Sequence, residues 1–195
     1  MKKLLISGFE PFGGESINPS WEVVKALPDV VGGYTLTKIC LPVVFGKATQ
    51  TLIQAAQAIV PDCILSIGQA GGRGAVTPEY AGINLRHASI PDNAGNQPTD
   101  EAIVPDGENA YFTSLPVRKM AETMAAAGIP AQVSYSAGTY VCNELLYSLL
   151  HRYKGTSTRV GFIHIPYIPE QQKSPALPLA QVIQALTLAI LTLEG

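Results

Sequence analysis

The sequence predicts an α/β protein with a mainly parallel sheet covered by helices on both faces. Apolar runs of strand length alternate along the chain with segments of helical period, which is typical of parallel strands joined by helical crossovers. Hydrophobic residues make up 47% of the 195 residues and charged residues 14%, so the chain can bury a large core. No repeat, low-complexity tract or linker interrupts this pattern. We therefore expect a single domain over residues 1–195.

Five runs are predicted to be strands and five segments to be helices. The strands are residues 3–9, 35–43, 63–70, 132–135 and 159–166. The helices are residues 20–27, 46–59, 111–127, 139–153 and 179–193. Residues 71–107 are rich in Gly, Pro, Asn and Asp and show little periodicity, and long irregular segments are often functional. We therefore expect the site in this segment and at the carboxyl ends of the strands.

Composition excludes several classes of protein. Thirteen basic and fifteen acidic residues give a net charge of −2, which offers no surface for nucleic acid or an anionic membrane. The three cysteines form no CxxC pair, which argues against a metal site and against a disulfide scaffold. No apolar stretch is long enough to cross a bilayer, and the apolar start ends too early for a signal peptide. We expect a cytoplasmic protein.

Two glycine clusters follow predicted strands, at residues 8–14 and 68–74. Neither contains the lysine of a P-loop, and neither matches the full dinucleotide fingerprint that opens a helix. Tight turns at strand ends explain both clusters. A nucleoside- or phosphate-binding protein remains an alternative based on them.

Cys142 is the candidate nucleophile. It follows residues 136–139 at the start of an amphipathic helix, so its thiol is predicted to lie in the first turn. The positive end of the helix dipole favours a thiolate there and should lower the thiol pKa. The structural alternative is a small buried cysteine that only packs the helix. Cys40 and Cys63 fit that alternative, because both lie within apolar strand runs.

A cysteine nucleophile needs a base, and of the three histidines His164 is the candidate for that role. It lies toward the carboxyl end of an apolar strand, where a polar side chain requires a hydrogen-bond partner. His87 fits a loop position, and His151 lies more than two helical turns beyond Cys142. A carboxylate should orient the imidazole. Spacing does not choose among the candidates, which are Glu79, Asp92, Asp100 and Asp106.

Seven motifs spread over nearly the whole chain resemble those of the pyrrolidone carboxyl peptidase (pyroglutamyl peptidase I) family. They are Gly8-Phe-Glu-Pro-Phe-Gly-Gly with Ile17-Asn-Pro-Ser-Trp, Gly68-Gln-Ala-Gly-Gly-Arg, Thr77-Pro-Glu, Ile90-Pro-Asp-Asn, Tyr111-Phe-Thr-Ser-Leu-Pro, Ser136-Ala-Gly-Thr-Tyr-Val-Cys-Asn and Gly161-Phe-Ile-His-Ile-Pro-Tyr-Ile-Pro-Glu-Gln. The resemblance implies a cytosolic cysteine exopeptidase with a three-layer α/β/α sandwich. It also implies hydrolysis of N-terminal pyroglutamyl residues from peptides, a homotetramer, and no metal or organic cofactor.

The resemblance assigns roles to individual residues. Cys142, His164 and Glu79 correspond to the family's catalytic triad. The expected substrate-binding residues are Phe9, Phe12, Gln69, Ile90, Tyr140 and Val141. Backbone N–H groups at the start of the Cys142 helix are the expected oxyanion donors. Phe9 and Phe12 could instead be core residues, but Pro11 and the glycines place them on a turn.

Two positions depart from the family pattern. Tyr80 and Ser89 stand where members commonly have arginine, and the second arginine lies by the active site in the family. Its replacement predicts slow peptidase activity unless Arg86 or Arg73 supplies the charge. The alternative function is a weakened or inactive relative that binds pyroglutamyl ends without turnover.

Overall fold

A six-stranded sheet forms the centre of the protein. The structure, a computed structural model, describes residues 1–194. The strands are β1 (Lys2–Phe9), β2 (Val30–Val31), β3 (Tyr34–Leu41), β4 (Cys63–Gln69), β5 (Thr77–Pro78), β6 (Ala81–Ile83), β7 (Ala110–Phe112) and β8 (Arg159–Ile165). In the large sheet their order is β2-β3-β1-β4-β8-β5, while β6 and β7 form a separate pair.

The large sheet is mixed. Strands β3, β1, β4 and β8 run parallel, as the alternation of strands and helices predicts. The short edge strands β2 and β5 are antiparallel to their neighbours. The expectation of a mainly parallel sheet therefore describes its four central strands. The antiparallel edges were missed because a strand of two residues has no detectable period.

Helices pack against this sheet in two groups. They are α1 (Pro19–Ala26), α2 (Lys47–Ile59), α3 (Val117–Ala126), α4 (Val141–Arg152) and α5 (Leu179–Leu191), with 3₁₀ turns at Pro169–Gln171 and Thr192–Glu194. Successive strand residues face opposite ways. Accordingly, Leu4 and Ile6 join an apolar cluster with α1, α3 and α5, while Leu5 and Phe9 join a second cluster with α2 and α4.

Two predicted elements are wrong. The predicted helix over 111–127 is a strand at its start, and the helix proper begins at Val117. Pro116 explains this, because the residue before a proline is disfavoured in helical conformation. The predicted strand over 132–135 instead contacts the β5 region through isolated bridges. Pro78 has no N–H to donate, so a continuous ladder cannot form there.

Cys40 also differs from the expectation of a buried cysteine, because its side chain is exposed. It lies near the end of β3, and β2 pairs only with Tyr34 and Thr35 at the other end of that strand. The strand edge beside Cys40 is thus uncovered. Cys63 is buried as expected. Among residues 1–194, no helix is long and apolar enough to cross a membrane.

Candidate active site

The candidate site lies at the carboxyl ends of β4 and β8. His164 is the sixth residue of β8 and pairs in register with Gly68 of β4. Antiparallel β5 brings the chain back along the other side of β8, so that Thr77 faces His164. Glu79 follows directly after β5. The sheet thus brings together two side chains that are 85 positions apart in sequence.

Glu79 holds the imidazole of His164. The carboxylate Oε1 lies 2.7 Å from Nδ1, and both side chains are buried. Because an ionised carboxylate can only accept, Nδ1 carries the proton and Nε2 is left free to act as a base. The other three candidate carboxylates lie elsewhere: Asp92 accepts from loop amides, Asp100 contacts His87, and Asp106 is exposed.

Burial and the contacts within the site together set the pKa values of His164 and Glu79. Burial lowers the pKa of His164, Glu79 partly offsets that effect, and Arg73 lowers the pKa further. For Glu79, burial acts to raise the carboxyl pKa, but the contacts with His164 and Arg73 outweigh burial and bring the pKa below its ordinary value. At neutral pH the pair is therefore a neutral imidazole beside a carboxylate.

Cys142 is the second residue of α4, and its thiol packs over the backbone of Gly68. A Cβ built on Gly68 would lie 3.0 Å from Cys142 Sγ. Since Gly68 pairs with His164, the thiol and the imidazole flank the same glycine. Within residues 1–194 no hydrogen bond joins Sγ to His164, and such contacts often tighten only when substrate binds.

The expectation of a lowered thiol pKa is wrong. Burial, and after it the negative charge of Glu79, raises the pKa of Cys142 to about 12, while Arg73 acts in the opposite direction. Loss of water around a buried thiolate outweighs the helix dipole, which contributes only about 0.3–2 kcal/mol. The resting site therefore holds a thiol and a neutral imidazole, and the proton must move when the nucleophile attacks.

The first turn of α4 leaves backbone donors free. The residue before the helix, Tyr140, makes no side-chain cap, and its carbonyl accepts from Asn143 and Glu144. In the part of the chain that the structure describes, the Val141 N–H has no partner, and the Cys142 N–H contacts only its own thiol. Donors of this kind beside a nucleophile can bind an oxyanion.

A cavity of about 270 Å³ opens beside Cys142 and His164. Its lining is formed by Phe9, Phe12, Asn18, Val43, Gln69, Ala70, Gly71, Arg73, Ala137, Gly138, Tyr140, Val141, Cys142 and His164. Five of the six expected binding residues are among them. Ile90 is not, because its side chain is 46% exposed on the surface loop.

Aromatic rings form one wall of this cavity. The rings of Phe12 and Tyr140 lie 6.2 Å apart between centroids, and the Tyr140 hydroxyl donates to the Pro91 carbonyl at 3.1 Å. Phe9 belongs to both the core and the cavity, since it is 2% exposed and also packs on Phe162. Phe9 is therefore both a core residue and a residue of the cavity wall.

Sequence reasoning missed several residues of this region, among them Gln171, Asn18 and Val43. Gln171 donates to the side-chain oxygen of Gln69 at 2.8 Å and so orients it. Asn18 lines the cavity and caps α1 by accepting from Ser20. Its place before Pro19 is an N-cap signal that could have revealed it. Val43 lies just beyond β3, and an apolar residue there carries no distinguishing signal.

The two departures from the family pattern lie outside the cavity lining. Ser89 is exposed, and Tyr80 packs against Phe112 and Tyr135. Of the two arginines expected to replace the missing charge, Arg73 lines the cavity. Arg86 instead pairs with Glu144 at 2.9 Å and Glu101 at 3.1 Å. Residues 1–194 contain no cluster of His, Cys, Asp and Glu suited to a metal ion.

The Cys142 thiol and the His164 imidazole line one cavity, and the Glu79 carboxylate lies behind the imidazole, an arrangement that is typical of cysteine-type hydrolases. The family model described as pyroglutamyl peptidase matches residues 2–194. The chain therefore belongs to the pyroglutamyl peptidase family of cysteine peptidases.

Relatives and solved structures agree with this assignment. A pyrrolidone-carboxylate peptidase of Yersinia pestis (strain Pestoides F) is 50% identical over 197 residues, covering 97% of this chain and 92% of that protein. The structure of pyroglutamyl peptidase I from Bacillus amyloliquefaciens has a TM-score of 0.95 and 47% identity, covering 98% of this chain and 96% of that one. Pyrrolidone carboxyl peptidase from Thermococcus litoralis has a TM-score of 0.94 and 39% identity, covering 98% and 93%.

Proposed function

We propose that this chain removes N-terminal pyroglutamyl residues from peptides, with Cys142 as nucleophile, His164 as acid and base, and Glu79 as the orienting carboxylate. The observation that carries the proposal is the 2.7 Å contact between Glu79 and His164, formed at the strand end where Gly68 also meets the Cys142 thiol. Membership of the family supplies the substrate class.

The geometry supports a two-step reaction. His164 Nε2 takes the thiol proton as Sγ attacks the carbonyl carbon that joins the pyroglutamyl ring to the next residue. The N–H groups of Val141 and Cys142 stabilise the oxyanion of the tetrahedral intermediate. The C–N bond breaks, the proton passes from His164 to the leaving amine, and a thioester remains on Cys142.

Water completes the cycle. His164 removes a proton from a water molecule as its oxygen attacks the thioester carbonyl, and the proton then returns to the departing thiolate. Glu79 keeps its charge throughout, because it stabilises the imidazolium in each half-reaction. Pyroglutamate is released as the free acid.

The cavity suits an uncharged lactam ring. Phe9, Phe12, Val43 and Tyr140 provide apolar contacts, and Gln69 provides a polar group. A free glutamate would bring an ammonium group that these walls leave unpaired, at a large cost in desolvation. The ring is therefore the recognised part of the substrate.

Further parts of the proposal concern the whole protein. We take residues 1–195 as one domain in a three-layer α/β/α arrangement, acting in the cytoplasm as a homotetramer and without metal or organic cofactor. The continuous match over residues 2–194 supports the single domain, and the two apolar clusters on opposite sides of the sheet support three layers.

Hydrolysis of a pyroglutamyl aminomethylcoumarin amide tests the function. We expect fluorophore release by the native chain and none by Cys142→Ser, since the hydroxyl is a far weaker nucleophile at neutral pH. The prolyl amide is the matched control substrate, because it has the same ring size without the lactam carbonyl. Tight binding of the pyroglutamyl amide without turnover would instead favour the alternative, a relative that only binds.

A further inference from the structure

Arg73 is the cationic side chain of the cavity lining, and its hydrogen bonds reach two other segments of the chain, residues 77–79 and residues 134–136. It lies in the loop after β4, beside Gly71 and Gly72, with 32% of its side chain exposed. Its Nη1 group donates to Glu79 Oε1 at 2.6 Å and to Thr77 Oγ1 at 2.7 Å. Its Nη2 group donates to the Ser136 carbonyl at 3.1 Å.

The contact with Glu79 compensates a buried charge. The Glu79 side chain is 0% exposed, and its Oε1 accepts from both His164 and Arg73. Its Oε2 atom has no partner within residues 1–194. Since His164 is neutral at rest, Arg73 is the full positive charge in contact with this carboxylate. A buried carboxylate without a cation would be strongly destabilised.

The contact between Arg73 and Ser136 connects Glu79 to the segment that carries Cys142. Ser134 and Ser136 belong to the segment that leads into α4, and Arg73 Nη1 also donates to Ser134 Oγ at 3.3 Å. One guanidinium group thus joins the carboxylate behind His164 to the chain that carries Cys142. A planar group with several donors can make such a bridge, whereas a lysine ammonium on a single stem cannot span it.

We propose that Arg73 is a positioning residue of the hydrolysis, which fixes the Glu79 carboxylate against His164 and supplies positive charge beside Cys142. This inference rests on the proposed function. It adds a fourth residue to the catalytic arrangement, one that acts through Glu79 and through the segment preceding α4.

The charged and titratable groups around the thiol come from four parts of the fold. Arg73 belongs to the loop after β4, Glu79 to the end of β5, and His164 to β8. Tyr140, which precedes α4, faces Cys142 and Asp92, and burial followed by the charges of these two groups raises its phenol pKa to about 12. Removing Arg73 leaves this set without a permanent cation, so the Cys142 thiolate becomes harder to form.

The rate of alkylation by iodoacetamide measures how easily the Cys142 thiolate forms, and it requires no substrate. Cys40 is exposed and serves as an internal reference within the same protein. We expect Arg73→Gln to lower the Cys142-to-Cys40 rate ratio at pH 8 about tenfold, the change that a one-unit rise in thiol pKa would produce. Because alkylation needs no substrate, this readout stays valid if the pyroglutamyl amide is not hydrolysed.

Turnover provides the second readout. Arg73→Gln should lower kcat with little change in KM, and it should move the acid limb of kcat/KM to higher pH, since loss of a nearby cation raises the imidazole pKa. Arg73→Lys should restore the alkylation ratio, because it keeps the charge. It should not restore kcat fully, because it cannot bridge Glu79 and Ser136.

Arg86→Gln is the matched control. Arg86 also pairs with a buried glutamate, Glu144, and its side chain is 29% exposed, but it does not line the cavity. This variant should leave the alkylation ratio and the pH profile unchanged. If Arg73→Gln behaves in the same way, Arg73 has a purely structural role and the proposal is overturned.

Two other outcomes also overturn it. A loss confined to KM would make Arg73 a substrate contact instead of a positioning residue. Should Arg73→Gln fail to fold, Arg73→Lys carries the test, and a normal kcat in that variant would show that the bridge to Ser136 is dispensable.

Discussion

Gly68 shows how a single residue controls the approach of Cys142 and His164, the two side chains proposed as nucleophile and base. It is buried in β4, paired with His164, and covered by the Cys142 thiol and the Phe162 ring. A Cβ at this position would lie 2.7 Å from the Phe162 ring and 3.0 Å from Sγ. A glycine is therefore required where the backbone must approach the nucleophile this closely.

We expect Gly68→Ala to reduce kcat/KM roughly 100-fold, because small displacements of catalytic groups have effects of that size. Overpacking should also lower the free energy of unfolding by about 1–3 kcal/mol. Both quantities can be measured with the pyroglutamyl amide and by urea denaturation. Gly74→Ala is the control, since its Cβ would make ordinary contacts of 3.6 Å and 3.7 Å with Pro175. Normal activity in a folded Gly68→Ala protein would contradict this account.

At the scale of elements, the start of α4 and the end of α2 differ in how their terminal backbone groups are satisfied. The start of α4 lacks a side-chain cap, which leaves amides available beside Cys142. The end of α2 is closed by Val60 in the left-handed conformation, with φ 53° and ψ 69°. A β-branched residue is disfavoured there, and this one is 72% exposed, so packing does not explain it.

Replacing Val60 with glycine should therefore stabilise the protein. We expect Val60→Gly to raise the free energy of unfolding by about 1 kcal/mol, equivalent to roughly 2–4 °C in Tm, since glycine adopts this conformation without a Cβ clash. Val60→Ala should gain less, because alanine keeps the Cβ. Thermal unfolding of the three proteins measures the difference. Lower stability of Val60→Gly would indicate that the side chain packs more than its exposure suggests.

At the scale of the whole molecule, buried titratable groups connect stability to pH. The lowered pKa of His164 means that the unfolded chain binds a proton before the folded one does. Its contribution to stability is present above the unfolded pKa of about 6.5 and is lost as pH falls. The carboxyl pKa of Glu79 and that of Asp92 are also lowered, so their contributions are lost at still lower pH. Burial raises the pKa of Glu144, which acts in the opposite direction.

We expect the free energy of unfolding to decline below pH 6.5 and to decline further below pH 4.5. His164→Asn is an informative variant, because its amide N–H can still donate to Glu79 but does not titrate. Its stability should change little between pH 6.5 and pH 5. Urea denaturation across this range provides the measurement. An equally steep decline in His164→Asn would assign the titration to other groups.

Much of the protein could be read from local sequence patterns. Periodicity located four central strands and the main helices, because apolar residues must repeat at the spacing of the face that they bury. Cys142 at a helix start and His164 at a strand end are likewise local features. The family motifs then associated these two residues with Glu79, which spacing alone left among four carboxylates.

Only the tertiary structure decided which groups meet and how they titrate. Glu79 faces His164 because β5 folds back along β8, a pairing between distant segments that no local period encodes. The exposure of Cys40 depends on an uncovered strand edge, and the raised pKa of Cys142 depends on water excluded by surrounding chain. The pairing of Arg73 with Glu79 likewise depends on how the β4 loop and the end of β5 fold against each other. Burial and long-range contact are properties of the assembled fold, whereas strand and helix periods belong to each segment alone.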